Sequence, residues 1–159
     1  MVSVTTSADA LPAALATTRR AALDALCRRF GVQVLYVFGS RASGVLEWLN
    51  GTRAALEHGG SDVDVGVKTP GTAAGHDLSL QDKVALTMAL EDLLGVARVD
   101  LVTFVEAGAF LAVNVIRGER LYSCDSRLAD EFDLYVLRRA ADLAPFERQR
   151  QAQILGAGS

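Results

Sequence analysis

The chain has little of what holds soft metals or closes disulfide scaffolds: its 159 residues include two cysteines and two histidines. Cys27 and Cys124 share no metal-ligand spacing and suggest no disulfide framework. Cys27 falls in a helical pattern and reads as a packed side chain. His58 and His76 lie far apart and have no partner motif, so both read as structural or solvent-facing. Basic charge is not in excess either. Lys and Arg total 16 against 19 Asp and Glu, for a net charge of −3 and a pI near 5.3. That balance argues against broad binding of nucleic acid by charge. No apolar run approaches membrane-spanning length, and no basic start precedes an apolar core, so a cytoplasmic location is the default expectation. Internal repeats and low-complexity tracts are also lacking. Half of the residues are apolar, enough for a real core, and the length favours one domain.

The informative residues are small and acidic. Val32-Gln33-Val34-Leu35-Tyr36-Val37-Phe38 is almost continuously apolar and rich in β-branched and aromatic residues, which predicts a buried strand. It runs into Gly39-Ser40-Arg41-Ala42-Ser43-Gly44. Gly39 allows a tight turn and Ser40 can start a helix, where free N–H groups attract anions. An ordinary strand-to-helix turn would explain Gly39-Ser40 taken alone. The next motif changes that balance. In Ser61-Asp62-Val63-Asp64-Val65-Gly66-Val67 the alternation predicts a strand with Val63, Val65 and Val67 on a core face. Asp62 and Asp64 then stand side by side on the other face. Aspartate is depleted in strands, and two such carboxylates repel unless a cation lies between them. Magnesium suits that position, since it takes carboxylates together with substrate phosphates.

Arg98-Val99-Asp100-Leu101-Val102-Thr103-Phe104 repeats the pattern of a lone acid inside an apolar strand. If this strand lies beside the one carrying Asp62 and Asp64, three carboxylates converge. Such a cluster can hold two metal ions and orient an in-line displacement. Asp100 can also accept a proton from an attacking hydroxyl.

The three motifs together, from about Val32 to about Thr103, resemble the minimal nucleotidyltransferases of the polymerase-β superfamily. The resemblance implies an α/β (α+β) nucleotidyltransferase fold: a small mixed sheet with helices on one side and a C-terminal helix. It implies ATP as substrate and Mg2+ as cofactor, with two ions. It further implies that Asp62, Asp64 and Asp100 are the catalytic, metal-binding acids and that Gly39 and Ser40 contact the phosphates. Downstream, Phe110 to Ile116 reads as a helix, Gly118 as its stop and Glu119 to Asp125 as a short strand. A long helix follows, roughly Ser126 to Leu143. This layout is similar to the antitoxin branch of the minimal nucleotidyltransferases, in which AMP passes from ATP to a tyrosine of a HEPN ribonuclease toxin. That implies a HEPN toxin as protein partner.

Between the Gly-Ser turn and the paired aspartates the relatives have a handful of residues, whereas Val45 to Gly60 intervenes here. Helical spacing of Leu46, Leu49 and Arg53, with Gly51 weakening a helix interior, predicts an enlarged helix and loop. The plainer reading is a surface insertion in which Trp48 packs locally; the other is a nucleotide cover or partner dock anchored by Trp48. The insertion leaves the acids untouched but unsettles the position of Arg41. Elsewhere, residues 1–9 are expected to be a flexible lead, 10–150 one domain, and 151–159 a tail. Leu11, Leu15, Ala22, Leu26 and Phe30 form the expected apolar stripe of a first helix stopped by Gly31. Lys68 to Asp77, with Pro70, Gly71 and Gly75, is a loop. Leu80 to Leu94 is a helix ended by Gly95, with Leu80, Val84, Thr87, Met88 and Leu94 available to the core and Asp82, Glu91 and Asp92 solvated.

Three functions fit these residues. The first is transfer of AMP from MgATP to a protein hydroxyl, with a HEPN toxin as acceptor. The second keeps the chemistry and takes a small-molecule acceptor of the aminoglycoside kind, for which little chain remains to build a substrate domain. The third is a non-catalytic antitoxin that acts by binding, its long C-terminal helix the interface. Retention of all three acids weighs against the third, because clustered like charges are costly without a cation.

Overall fold

The computed structural model describes residues 10–71 and 78–156. In chain order these form α1 (Ala10–Arg29), β1 (Val34–Phe38), α2 (Ala42–Leu49), β2 (Val63–Lys68), α3 (Leu80–Leu94), β3 (Val99–Thr103), α4 (Ala109–Ile116), β4 (Glu119–Ser123) and α5 (Ser126–Gly156). The strands make one mixed sheet in the order β3-β2-β1-β4. β1 pairs antiparallel with both β2 and β4, and β2 pairs parallel with β3. A parallel pair needs a crossover, and α3 supplies it. The sheet is the small mixed one that the sequence predicts.

Its coverage differs from expectation: helices pack on both faces. Val63, Val65 and Val67 of β2 join Leu35, Val37 and Leu101 in a core closed by α1, α2 and α3. On the other face, Val34 and Tyr36 meet Val115 of α4 and Ala129 of α5. The cause is β1, whose residues Val34 to Val37 are all buried and leave no face for water. Gly66 makes the second layer possible. A Cβ there would stand 2.2 Å from Val115 Cγ1, so only glycine lets α4 lie this close to the sheet. Buried Tyr36 also donates its hydroxyl hydrogen bond to Asp133 of α5. Arg120 of β4 donates to the same carboxylate at 2.6 Å, tying the helix to two strands.

Three helices depart from their expected faces or ends. In α1 the buried residues are Leu23 and Cys27, with Leu26 and Phe30 packed against that core, while Leu11 and Ala22 face outward. In α3 the buried residues are Leu86, Leu90 and Leu94, whereas Leu80, Val84 and Met88 are exposed. The helix is apolar on two stripes, and the more C-terminal stripe won the core. Its ends match expectation: Ser79 accepts from the Asp82 N–H at 3.0 Å, and Gly95 closes it with φ 67°. Finally, α5 does not stop near Leu143 but continues through Pro145 to Gly156. Proline removes one helical hydrogen bond, and the Glu-, Arg- and Gln-rich run beyond it consists of good helix formers. The expected lead 1–9, residues 72–77 of the expected loop with Gly75 and His76, and residues 157–159 lie outside the described residues. Among the described residues no helix is long and apolar enough to cross a membrane.

Candidate active site

The strand register brings the three acids to one end of the sheet. Asp64 sits opposite Phe38, the last residue of β1, and directly beside Asp100 in the parallel β2–β3 pair. Asp62 immediately precedes β2 and forms an ion pair with Arg98, Nε to Oδ2 at 3.4 Å. Asp62 and Asp64 are half-buried and Asp100 is exposed. The Asp64 carboxyl is held above its usual range, first by burial and then by the negative charges of Asp100 and Asp62. The repulsion anticipated from the sequence pattern is thus present among these residues.

The Gly39-Ser40 turn closes onto the same acids. Gly39 has φ +77°, and a Cβ on it would stand 2.4 Å from Asp64 Oδ2. Glycine is therefore required twice, for the left-handed backbone and for the approach of the carboxylate. Ser40 does not start the helix as expected. The position before α2 belongs to Arg41, which makes no side-chain cap. The Ser40 hydroxyl instead lies 3.2 Å from the hydroxyl of Ser61, linking the turn to the strand of aspartates.

Arg41 has a place that the sequence left open. Its guanidinium donates to the carbonyl of Ser61 at 3.0 Å and to that of Glu57 at 2.6 Å. It thereby fastens the end of the inserted segment beside Asp62. The insertion itself packs locally. Trp48 is buried, and Arg19 of α1 stacks 4.4 Å over its ring. Arg19 also donates to the carbonyls of Trp48, Arg53 and Ala54. Gly51, at φ +79°, ends α2 where a Cβ would meet the Pro12 carbonyl oxygen at 2.0 Å. Trp48 is therefore no exposed anchor. Sequence reasoning also missed Arg98 as the counter-ion of Asp62. The signal was available only through register: once Val63 pairs with Val99, residues 62 and 98 are neighbours.

An all-oxygen, acid-rich donor set suits a hard cation such as magnesium. Among the described residues no three acid, histidine or cysteine side chains form a ready-made ion site. A separate cavity, lined by Lys68, Phe104, Phe132, Tyr135 and Arg139 among others, lies toward the Lys68 end of β2, away from the acids.

No curated protein matches the chain. Solved structures do. A chain of a toxin-antitoxin crystal structure with AMP-PNP has 22% identity and a TM-score of 0.61, covering 88% of this chain and 98% of that one. A chain of the tri-AMPylated HEPN toxin in complex with MNT antitoxin, from Shewanella oneidensis, has 19% identity and a TM-score of 0.59, covering 91% and 99%. The toxin-antitoxin MntA-HepT gives 19% identity and a TM-score of 0.58, with 90% and 99% covered. At these identities the likeness is one of fold. The model of the family "Polymerase beta, Nucleotidyltransferase" matches residues 23–127, from the middle of α1 past β4 and across every motif named above. The chain belongs to the polymerase β nucleotidyltransferase family.

Proposed function

We propose that this chain is a protein adenylyltransferase: it transfers AMP from MgATP to a tyrosine hydroxyl of a HEPN toxin partner and so acts as the antitoxin. The observation that carries the reading is the meeting of Asp64, Asp100 and Gly39 at one end of the sheet. Family membership supports nucleotidyl transfer. The AMP-PNP and AMPylated-toxin complexes among chains of the same fold support ATP and a HEPN protein as the two substrates. The cytoplasm is the proposed location, since ATP is available there.

In this reading Asp62, Asp64 and Asp100 would hold Mg2+, two ions in all, and the bound cations would neutralise charge on the triphosphate. Gly39 and Ser40 offer backbone N–H groups and a hydroxyl to the β- and γ-phosphates. Asp100, the most exposed of the acids, accepts the proton of the acceptor hydroxyl. The tyrosine oxygen forms a bond to the α-phosphorus. The bond from that phosphorus to the oxygen bridging to the β-phosphate breaks, and pyrophosphate leaves. Arg41 keeps the Ser61–Asp62 backbone against the Gly-Ser turn while this happens.

The test is the intact mass of a candidate partner, the product of the neighbouring gene, co-expressed with the wild type or with Asp62→Asn/Asp64→Asn. An AMP-sized increment on the partner, seen with the wild type and absent with the variant, is the expected result. An equal increment with the folded variant would refute the assignment of these acids.

A further inference from the structure

Of the three acids, Asp62 alone has a cationic partner among the described residues, and that partner is Arg98. Strand register puts it there. Val63 pairs with Val99 and Asp64 with Asp100. Arg98 and Asp100, two residues apart on one strand, therefore share the face that carries Asp62 and Asp64. Both members of the ion pair stand on pinned backbone. The Val63 N–H donates to the Arg98 carbonyl at 3.1 Å, and the Ala97 N–H donates to the His58 carbonyl at 2.8 Å. On the other side Arg41 holds the Ser61 carbonyl. Arg41, the other arginine beside Asp62, aims its guanidinium at backbone carbonyls rather than at an acid. Arg98 thus supplies the mobile positive charge at the rim of the cluster, its side chain 74% exposed and that of Asp62 40% exposed.

That charge acts differently on two arriving species. A bare divalent cation must take the Asp62 carboxylate from the guanidinium and then sit close to a like charge. A magnesium–triphosphate complex is net negative, so the guanidinium that it displaces from Asp62 gains phosphate oxygens in exchange. We propose that Arg98 selects the magnesium–nucleotide complex over the bare metal ion, holding Asp62 until the complex enters and then turning to the triphosphate. The proposal rests on the adenylyltransferase reading and adds a residue that chooses its substrate. Discrimination of this kind works by penalising the wrong ligand as well as by welcoming the right one. Its size follows from the exposure. An ion pair this open to water changes an equilibrium constant by about two- to fivefold, and salt screens it.

The experiment measures binding by the full chain: wild type, Arg98→Gln, the charge-keeping Arg98→Lys, and Arg127→Gln. Arg127 makes an exposed pair with Glu131 at 3.2 Å in the first turn of α5. It follows the end of β4 that pairs with Val34, whereas the acids lie at the Phe38 end of β1. One probe is Mn2+ alone, followed by electron paramagnetic resonance. The other is α,β-methylene-ATP with Mg2+, followed by calorimetry; this analogue keeps the triphosphate charge and cannot release pyrophosphate. Arg98→Gln should bind Mn2+ about two- to fivefold more tightly and the nucleotide about two- to fivefold more weakly. Both differences should shrink at about 1 M salt. Arg98→Lys and Arg127→Gln should stay near the wild type with both probes. A merely structural Arg98 would move both affinities in one direction, so parallel changes overturn the proposal, as do unchanged affinities. Tighter Mn2+ with unchanged nucleotide binding overturns it too, because Arg98 would then repel metal without recognising the triphosphate. If the opposite shifts occur but the wild type leaves the product of the neighbouring gene unmodified, selection by Arg98 stands and the adenylyltransferase reading falls. A wild type that binds neither probe overturns both.

Discussion

Replacing Gly39 with alanine tests the link between the phosphate turn and the acids. Two costs arise, and the structure separates them. Gly39 has φ +77°, and an L-residue in the left-handed region costs about 1–2 kcal/mol. The new Cβ would also stand 2.4 Å from Asp64 Oδ2, where ordinary contact begins at 3.4 Å, so the carboxylate must retreat by about 1 Å. Misplacing a reacting constellation by that distance costs about 100-fold in rate. Gly31 provides the control. It has φ +68° with nothing within 4 Å of a built Cβ, so Gly31→Ala carries the backbone cost alone. Urea unfolding should report a loss of about 1–2 kcal/mol for both variants. AMP transfer to the partner should fall about 100-fold for Gly39→Ala and stay near wild type for Gly31→Ala. If Gly39→Ala transfers as fast as Gly31→Ala, the approach of Gly39 to Asp64 has no part in catalysis and the argument fails.

Other expectations follow from contacts already described. Tyr36→Phe removes a buried donor to the Asp133 carboxylate and should lower stability by about 1.5–3 kcal/mol in denaturant titration, whereas a loss near zero would mean that Arg120 alone satisfies Asp133. Arg41→Ala deletes the two bonds to the carbonyls of Glu57 and Ser61, about 1–3 kcal/mol of positioning. Its stability should fall by up to that amount and its kcat/KM for transfer about tenfold, and unchanged transfer would remove Arg41 from the site. Burial, reinforced by Asp24, raises the Cys27 thiol from 9.0 to about 12. The folded state therefore keeps a proton that the unfolded chain gives up first. The resulting stability is complete below pH 9 and is lost as pH rises through the interval to 12. Cys27→Ala should flatten that alkaline loss in thermal unfolding, and a thiol reagent at neutral pH should label exposed Cys124 but not Cys27 until the protein unfolds.

What could be read from the sequence was what strict local patterns dictate. Period-2 alternation around Asp62 and Asp64 and the lone acid at Asp100 each fixed a face, and a parallel pairing of the two strands put those faces together. Glycines at Gly39 and Gly95 marked real left-handed stops. Contacts made across long sequence separations left no such trace. Arg41 reaches carbonyls on the far side of the insertion, and Arg98 meets Asp62 only through strand register. Carbonyl acceptors are present at every residue, so nothing in the sequence singles out Glu57 or Ser61 as partners.

The different face that α3 buries follows from the same limit. Two apolar stripes on one helix are locally equivalent, since helical periodicity fits Leu80-Val84-Met88 as well as Leu86-Leu90-Leu94. Tertiary packing decides between them. The second stripe buries Leu86 and Leu90 to 0% and 1% exposure against β2 and α1, and no helix can bury both stripes against a single sheet. The unused stripe stays in water, where each large aliphatic side chain forgoes roughly 1.5–3 kcal/mol relative to full burial. Lysine or glutamate there would keep the helix and improve solubility. Apolar periodicity therefore fixes the spacing of a stripe, and the elements packed around the helix decide which stripe enters the core.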